Sequence, residues 1–242
     1  MAGRCGAGRR GTTKESKMKR REFNTLTALS TAAGGGLLLS GAPAQAQGGP
    51  IEGRQYQRLA KPVPGSAPGK IEVIEFFWYG CPHCYVFEPT IEAWAKQLPA
   101  DVVYRKVHVA FRANVKIHQQ MFVTLEAMGK EAQVRPAIFN AIHRGGQSLT
   151  DVDAMAKFLA PLGVDPAKFK ETYNSFTVQT RVQQATKLQD QYNIDGVPTV
   201  AIGGRFLTSP AMAGFGLRVS EEELGQRCIA VANFLLPLAR KG

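Results

Sequence analysis

Between Ile71 and Trp78 the chain runs almost without a break through apolar, β-branched and aromatic residues, the pattern of a strand covered on both faces of a sheet. Glu75 interrupts that run, and a carboxylate there is costly unless it is paired or protonated. After Cys84 the apolar positions Val86, Phe87, Ile91, Trp94, Ala95 and Leu98 recur at helical spacing until Pro99. Val102 to Phe111 reads as a second strand, so the stretch predicts a strand, helix, strand unit.

From Asn114 to about Tyr192 the pattern offers no good strand, only helical pieces with their own stops. Asn114 to Met128 ends at Gly129, and Lys130 to Arg144 ends at Gly145-Gly146. Thr150 or Asp151 caps a helix reaching Leu162, Asp165-Pro166 opens the next by the cap and first-turn proline rule, and a last helix covers roughly Thr177 to Tyr192. Strands return at Pro198 to Ile202 and Arg205 to Thr208, joined by a Gly203-Gly204 turn that marks a hairpin. Ser220, followed by Glu221, Glu222 and Glu223, caps a final helix over Leu224 to Leu238. A short edge segment around Tyr56 to Leu59 and a Pro/Gly linker over residues 61–69 precede the first long strand.

The first residues follow a different logic. Eight Lys and Arg lie between Arg4 and Arg21, then a mildly apolar, glycine-broken stretch runs from Leu26 to Leu39, and Ala44-Gln45-Ala46 supplies a small-x-small site. That order predicts a secretory signal over residues 1–46, cleaved near Ala46; the stretch is too short and glycine-rich for a stable membrane span. Lys19-Arg20-Arg21-Glu22-Phe23-Asn24 resembles a twin-arginine signal, although an ordinary secretion signal with two arginines reads the same way, and Met18 is an alternative start. Without these residues the formal charge falls from +11 to +5, with 22 Lys and Arg against 17 Asp and Glu. The remaining charge is spread without a basic run and makes no case for nucleic acid. About 196 residues remain, enough for one domain or one domain with an insertion.

Export gives the cysteines meaning, because disulfides persist outside the cytoplasm. Three remain, and two of them stand in Cys81-Pro82-His83-Cys84 on the predicted strand-to-helix turn. A structural zinc site needs four ligands, whereas Cys228, His108, His118 and His143 are isolated along the chain; two inert thiols so close together would tend to oxidise after export. A redox pair has a physical mechanism behind each residue. At the helix cap the Cys81 sulfur accepts first-turn N–H groups and feels the positive end of the helix dipole; Pro82 fits the first helical position; His83 adds a hydrogen bond or a positive charge. These effects lower the pKa of Cys81, while Cys84, one turn inside, is expected to be less exposed. A stable Cys81 thiolate favours the dithiol and makes the disulfide oxidising, so the predicted reaction is donation of a disulfide to a folding protein, with no cofactor and no metal. Cys228, among apolar positions of the last helix, reads as a buried free thiol.

With these motifs the chain resembles the DsbA family of periplasmic thiol:disulfide oxidoreductases over nearly all of the sequence after the signal. The resemblance implies an α/β thioredoxin fold with an all-helical domain inserted between its βαβ and ββα halves, which places residues 47–70 in an N-terminal segment and linker, 71–112 in the first half, 113–193 in the insertion and 194–242 in the second half. It implies that Gly196-Val197-Pro198-Thr199 is the loop facing the cysteines, with Pro198 cis and Val197 offering its backbone to a substrate peptide. It also implies a buried charge pair, Glu75 and Lys106, and a further acid, Glu88, that move protons or set thiol pKa values; the plainer reading is a structural ion pair. Implied partners are exported proteins with free cysteines and a DsbB-like, quinone-linked membrane oxidase for reoxidation; a monomer in the periplasm is expected. A reductase or isomerase on the same fold, or a peptide-binding chaperone with incidental cysteines, are the competing functions. A reductase needs the pair kept reduced, and a chaperone would survive serine at Cys81.

Overall fold

The computed structural model describes residues 48–65 and 68–241; the predicted signal, its cleavage site and the alternative start at Met18 lie outside them. Five strands form one mixed sheet in the order β1-β5-β4-β2-β3. Its centre is β2 (Ile71–Phe77), parallel to β3 (Val102–His108) on one side and antiparallel to β4 (Thr199–Ile202) on the other; β5 (Phe206–Thr208) follows, and β1 (Gln57–Arg58) closes the edge. Glu72 to Phe77 are all buried, as the unbroken apolar run required.

Helix α1 (Pro82–Ala95) returns the chain from β2 to β3, and the last helix, α8 (Glu221–Arg240), packs beside it. Phe87, Ile91 and Trp94 from α1 meet Val231, Leu235 and Leu236 from α8 over Val73, Val200 and Ile202 of the sheet. The opposite face of the sheet carries Ile74, Phe76, Val107 and Ala201 against Tyr192 and Ile194. Between β3 and β4 the chain inserts α2 (Ala113–Ala127), α3 (Glu131–His143), α4 (Val152–Leu159), α5 (Pro166–Tyr173) and α6 (Phe176–Gln191). Their apolar faces build a third core from Phe122, Leu125, Ile138, Phe139, Leu159 and Phe169, and Phe77, Tyr79, Cys81 and Cys84 belong to this core rather than to the sheet's own.

Local signals acted as expected at most boundaries. Asp151, Asp165 and Ser220 each accept a backbone N–H from three residues on, capping α4, α5 and α8, and Ser175, which the sequence pattern had not singled out, caps α6 in the same way. Two boundaries and one element differ from the sequence pattern. Strand β3 stops at His108 rather than Phe111, because β2 ends at Phe77 and the Val109 N–H to Phe77 carbonyl bond at 2.8 Å is the last the pair can make. The helix predicted to reach Leu162 ends at Leu159 and tightens into a 3-10 turn over Ala160–Leu162, where Pro161 has no N–H to continue the ladder. A short helix, α7 (Pro210–Ala213), capped by Ser209, follows β5 without having been expected.

The hairpin between β4 and β5 also anchors the N-terminal linker. Gly204 sits at φ 65°, its carbonyl accepts the Val63 N–H at 2.8 Å, and a methyl group added at Gly204 would overlap the Val63 carbonyl oxygen. Gly204→Ala combines a left-handed backbone with that overlap and is expected to lower stability by more than about 1 kcal/mol, read as a shift of the urea midpoint at unchanged slope.

Candidate active site

The chain leaves β2 at Phe77, and Trp78, Tyr79 and Gly80 carry it to Cys81, whose N–H donates to the Trp78 carbonyl at 3.0 Å. Cys81 is the N-cap of α1, with extended backbone at φ −85°, and its Sγ accepts the Cys84 N–H at 3.4 Å; Pro82 takes the first helical position. Both sulfurs are thiols here, as is that of Cys228. Cys81 keeps 5 % exposure and Cys84 none, the order that one turn of depth predicts.

The two thiols are driven apart electrostatically. A hydrogen bond from Cys84 is the largest influence on Cys81; the N–H groups of Cys84 and His83 and the His83 charge add to it against the opposing effect of burial, and the thiol is lowered to about 7. Burial first, and then the adjacent Cys81 sulfur, push Cys84 well above the ordinary thiol range. One sulfur therefore ionises near neutrality while its neighbour keeps its proton. His83 lies on the surface with Nδ1 3.0 Å from Glu221 Oε1 of α8, and that carboxylate raises its pKa. Its charge acts on Cys81, as the motif suggested, but less than the hydrogen bonds do.

Across from Cys81 the Val197-Pro198 bond is cis, and the Val197 carbonyl accepts the Cys81 thiol at 3.4 Å. Pro198 is buried and Val197 half-buried. Beside this loop an apolar groove is lined by Phe87, Pro198, Pro210, Met212 and Leu224, with His83 and Glu221 at its rim.

Beneath α1 lies a buried cluster of charge. The parallel register sets Glu75 opposite Lys106, and Lys106 Nζ donates to Glu75 and, at 2.7 Å, to Glu88. Tyr104 donates to Glu75 at 2.5 Å. Arg135, from α3, extends the cluster: it bonds Glu88 at 2.9 Å and Glu92 at 2.6 Å and grips Glu131, which accepts the Tyr79 hydroxyl at 2.7 Å. Burial raises the Glu88 carboxyl, and Glu75 and Glu88 hold the Lys106 ammonium above its usual range although burial opposes it. The sequence pointed to Glu75, Lys106 and Glu88. It missed Arg135, Glu131, Glu92, Tyr79 and Tyr104, since the Glu131 to Arg135 spacing shows one helical pair but not the acids on another helix that Arg135 reaches. His108 closes β3, where Nε2 accepts the Tyr79 N–H at 3.2 Å and Nδ1–H donates to the Val109 carbonyl. Cys228 is fully buried, and burial pushes its thiol up. Among the described residues, no group of three or more His, Cys, Asp or Glu is placed to hold a metal.

A thioredoxin-like sheet with a cysteine pair at the start of its first long helix and a cis-proline loop facing it defines the class of thiol:disulfide oxidoreductases. Comparison with known proteins narrows the class. The model of the DSBA-like thioredoxin domain matches residues 108–217. The thiol:disulfide interchange protein DsbA of Burkholderia cepacia is 48% identical over 195 residues, spanning 80% of this chain and 89% of the relative. DsbA of Bordetella pertussis is 47% identical over 194 residues, covering 80% and 90%. The crystal structure of Pseudomonas aeruginosa DsbA superposes with a TM-score of 0.73 at 42% identity, over 79% of this chain and 95% of that one. The chain belongs to the DsbA family of thiol:disulfide oxidoreductases.

Three outcomes follow from the site's electrostatics. Because the Cys81 pKa is depressed, reduced protein gains stability over its unfolded chain as pH rises from about 7 to about 9 and loses it as pH falls back through about 7. Cys84→Ala removes the largest contribution and should move the Cys81 thiolate titration upward, followed by ultraviolet absorbance, whereas Cys84→Ser keeps a donor and moves it less. Lys106→Met leaves Glu75 and Glu88 buried without their shared cation; a loss of about 3 kcal/mol or more is expected in urea unfolding, partly restored by adding Glu75→Leu.

Proposed function

We propose that the oxidised enzyme carries a Cys81–Cys84 disulfide and gives it to cysteine-bearing proteins that have just been exported. A substrate thiolate attacks Sγ of Cys81, the S–S bond breaks, and Cys84 leaves with the electron pair and takes up a proton. The mixed disulfide on Cys81 is then resolved by a second substrate thiolate, which attacks the substrate's own sulfur and expels Cys81 as a thiolate. The substrate gains a disulfide and loses two electrons, which the enzyme holds as a dithiol. The observation that carries this assignment is the position of Cys81 at the cap of α1, where its sulfur accepts a backbone N–H while Cys84 is closed off behind it.

In this reading Pro82 and His83 shape the Cys81 environment, and Val197 and Pro198 hold the substrate's backbone and the wall it packs on. Glu75, Lys106 and Glu88 set the proton balance below Cys84. The Glu221 carboxylate at the first turn of α8 supports His83 as a cation, an addition to the residues read from the sequence. Residues 1–46 act as a cleaved export signal to the periplasm, residues 47–70 lead into the fold, 71–112 and 194–242 are its two halves, and 113–193 are the insertion. Electrons leave the dithiol to a DsbB-like, quinone-linked membrane oxidase.

The test is a redox equilibrium of residues 47–242 with glutathione, combined with transfer to a reduced peptide carrying two cysteines. Wild type is expected to equilibrate well above the glutathione potential and to oxidise the peptide. Cys81→Ser should abolish transfer, and Cys84→Ser should accumulate a mixed disulfide through Cys81. A strongly reducing potential would move the chain to the reductase reading.

A further inference from the structure

The chain has four histidines, and each one touches the segment from Trp78 to His83. His83 lies within that segment, and the other three reach the two residues ahead of Gly80-Cys81. His108, from β3, accepts the Tyr79 N–H; His143, from α3, donates Nε2–H to the Tyr79 carbonyl at 2.8 Å; His118, from α2, accepts the Trp78 indole N–H on Nδ1 at 3.2 Å.

The His118 contact differs from the others because it orients a large side chain over the turn itself. The Trp78 indole packs on Gly80 so closely that a methyl group added there would overlap the ring, and the Trp78 carbonyl accepts the Cys81 N–H at 3.0 Å. The indole thus forms one wall of the turn that presents Cys81. His118 is itself fixed from behind. Its Nε2–H donates to the Ser148 carbonyl at 2.8 Å, and the adjoining Leu149 is buried at φ 47°, a left-handed backbone that a leucine holds only where its surroundings pin it.

We propose that His118 is a positioning residue for the disulfide exchange, acting through Trp78 to hold the Cys81 turn, and that it acts only as the neutral imidazole. This deepens the assignment of Cys81 as the reacting sulfur and rests on it. The neutral requirement is geometric. With Nε2–H committed to Ser148, an added proton goes to Nδ1, where it would face the indole N–H, donor against donor. The groups facing His118 are Trp78 from the turn after β2, His108 from β3 with ring centroids 6.4 Å apart, and Ser148 and Leu149 from the loop after α3. None of these is a carboxylate, and burial favours the uncharged ring of both histidines. The contact therefore holds at neutral pH and opens in acid, below the ordinary histidine range.

The test uses rapid transfer from oxidised protein to a reduced dithiol peptide, with Trp78 emission read in a Trp94→Phe background. His118→Leu, which has no acceptor, should slow transfer by roughly tenfold at neutral pH, the scale of one hydrogen bond felt in the transition state. His118→Asn, with an acceptor near the position of Nδ1, should recover most of the rate. Trp78 emission should show a transition in acid that disappears in His118→Asn, which cannot be protonated. If His118→Leu fails to fold, Trp78→Phe carries the rate test, and its acid limb should be flattened. Leucine and asparagine variants with the rate of wild type, or an acid transition that persists in His118→Asn, would overturn the proposal. Cys81→Ser, run in the same assay, separates the two failures: activity retained there removes the assignment of Cys81, whereas activity lost there with His118 variants unaffected removes only the role of His118.

Discussion

A sulfur atom set against the unpaired donors at the start of a helix is the interaction on which the rest of this molecule depends. It requires a strand that ends just before the helix begins, a turn that sets the cap residue against the Val197-Pro198 loop, and a second sulfur one turn deeper with no exposed surface. β2, Gly80 and the start of α1 supply these in sequence. The first sulfur takes its hydrogen bonds from Cys84 and from the backbone at the start of α1, so its ionisation is set mainly within the helix's first turn.

Holding that helix in place needs more than its own packing on the sheet. One face of α1 is apolar and fits α8, while Glu88 and Glu92 bring it over two buried cations. Lys106 comes from the sheet and Arg135 from the insertion, so the acids of α1 tie both parts of the fold to the active-site helix. Such a cluster is a weak source of net stability, since desolvating six ionisable groups offsets most of the attraction between them. What it supplies is a defined position for α1, with Glu88 held in a buried site that raises its carboxyl pKa.

Much of this is legible in the amino-acid sequence. The unbroken run from Ile71, the helical spacing after Cys84 and the Gly203-Gly204 turn gave the sheet its central strand, its crossover and its hairpin. The caps at Asp151, Asp165 and Ser220 gave helix starts, because one side chain and one N–H decide such a boundary. Glu75 announced itself as a carboxylate where none should be, the family resemblance pointed to Lys106 as its partner, and the strand register sets the two opposite each other. Features that depend on distant segments were not legible. Tyr79 reaches Glu131, and through it Arg135, across 52 residues, and the indole of Trp78 meets a histidine 40 residues on. Beyond the Glu131 to Arg135 helical spacing neither leaves a periodicity or a motif, because the contact is made by how the insertion settles on the turn.

The cysteines' membership in the insertion's apolar core, rather than the sheet's, ties redox chemistry to folding in a thermodynamic cycle. Joining or separating two sulfurs inside a packed core alters how well Phe77, Tyr79 and Phe139 fit around them. The free energy by which the dithiol folds better than the disulfide equals the amount by which folding makes the pair a stronger oxidant than the same two cysteines in a loose chain. Whatever the packed core gains on passing from disulfide to dithiol is therefore added to the driving force for handing on the bond, and forming the disulfide again has to restore it.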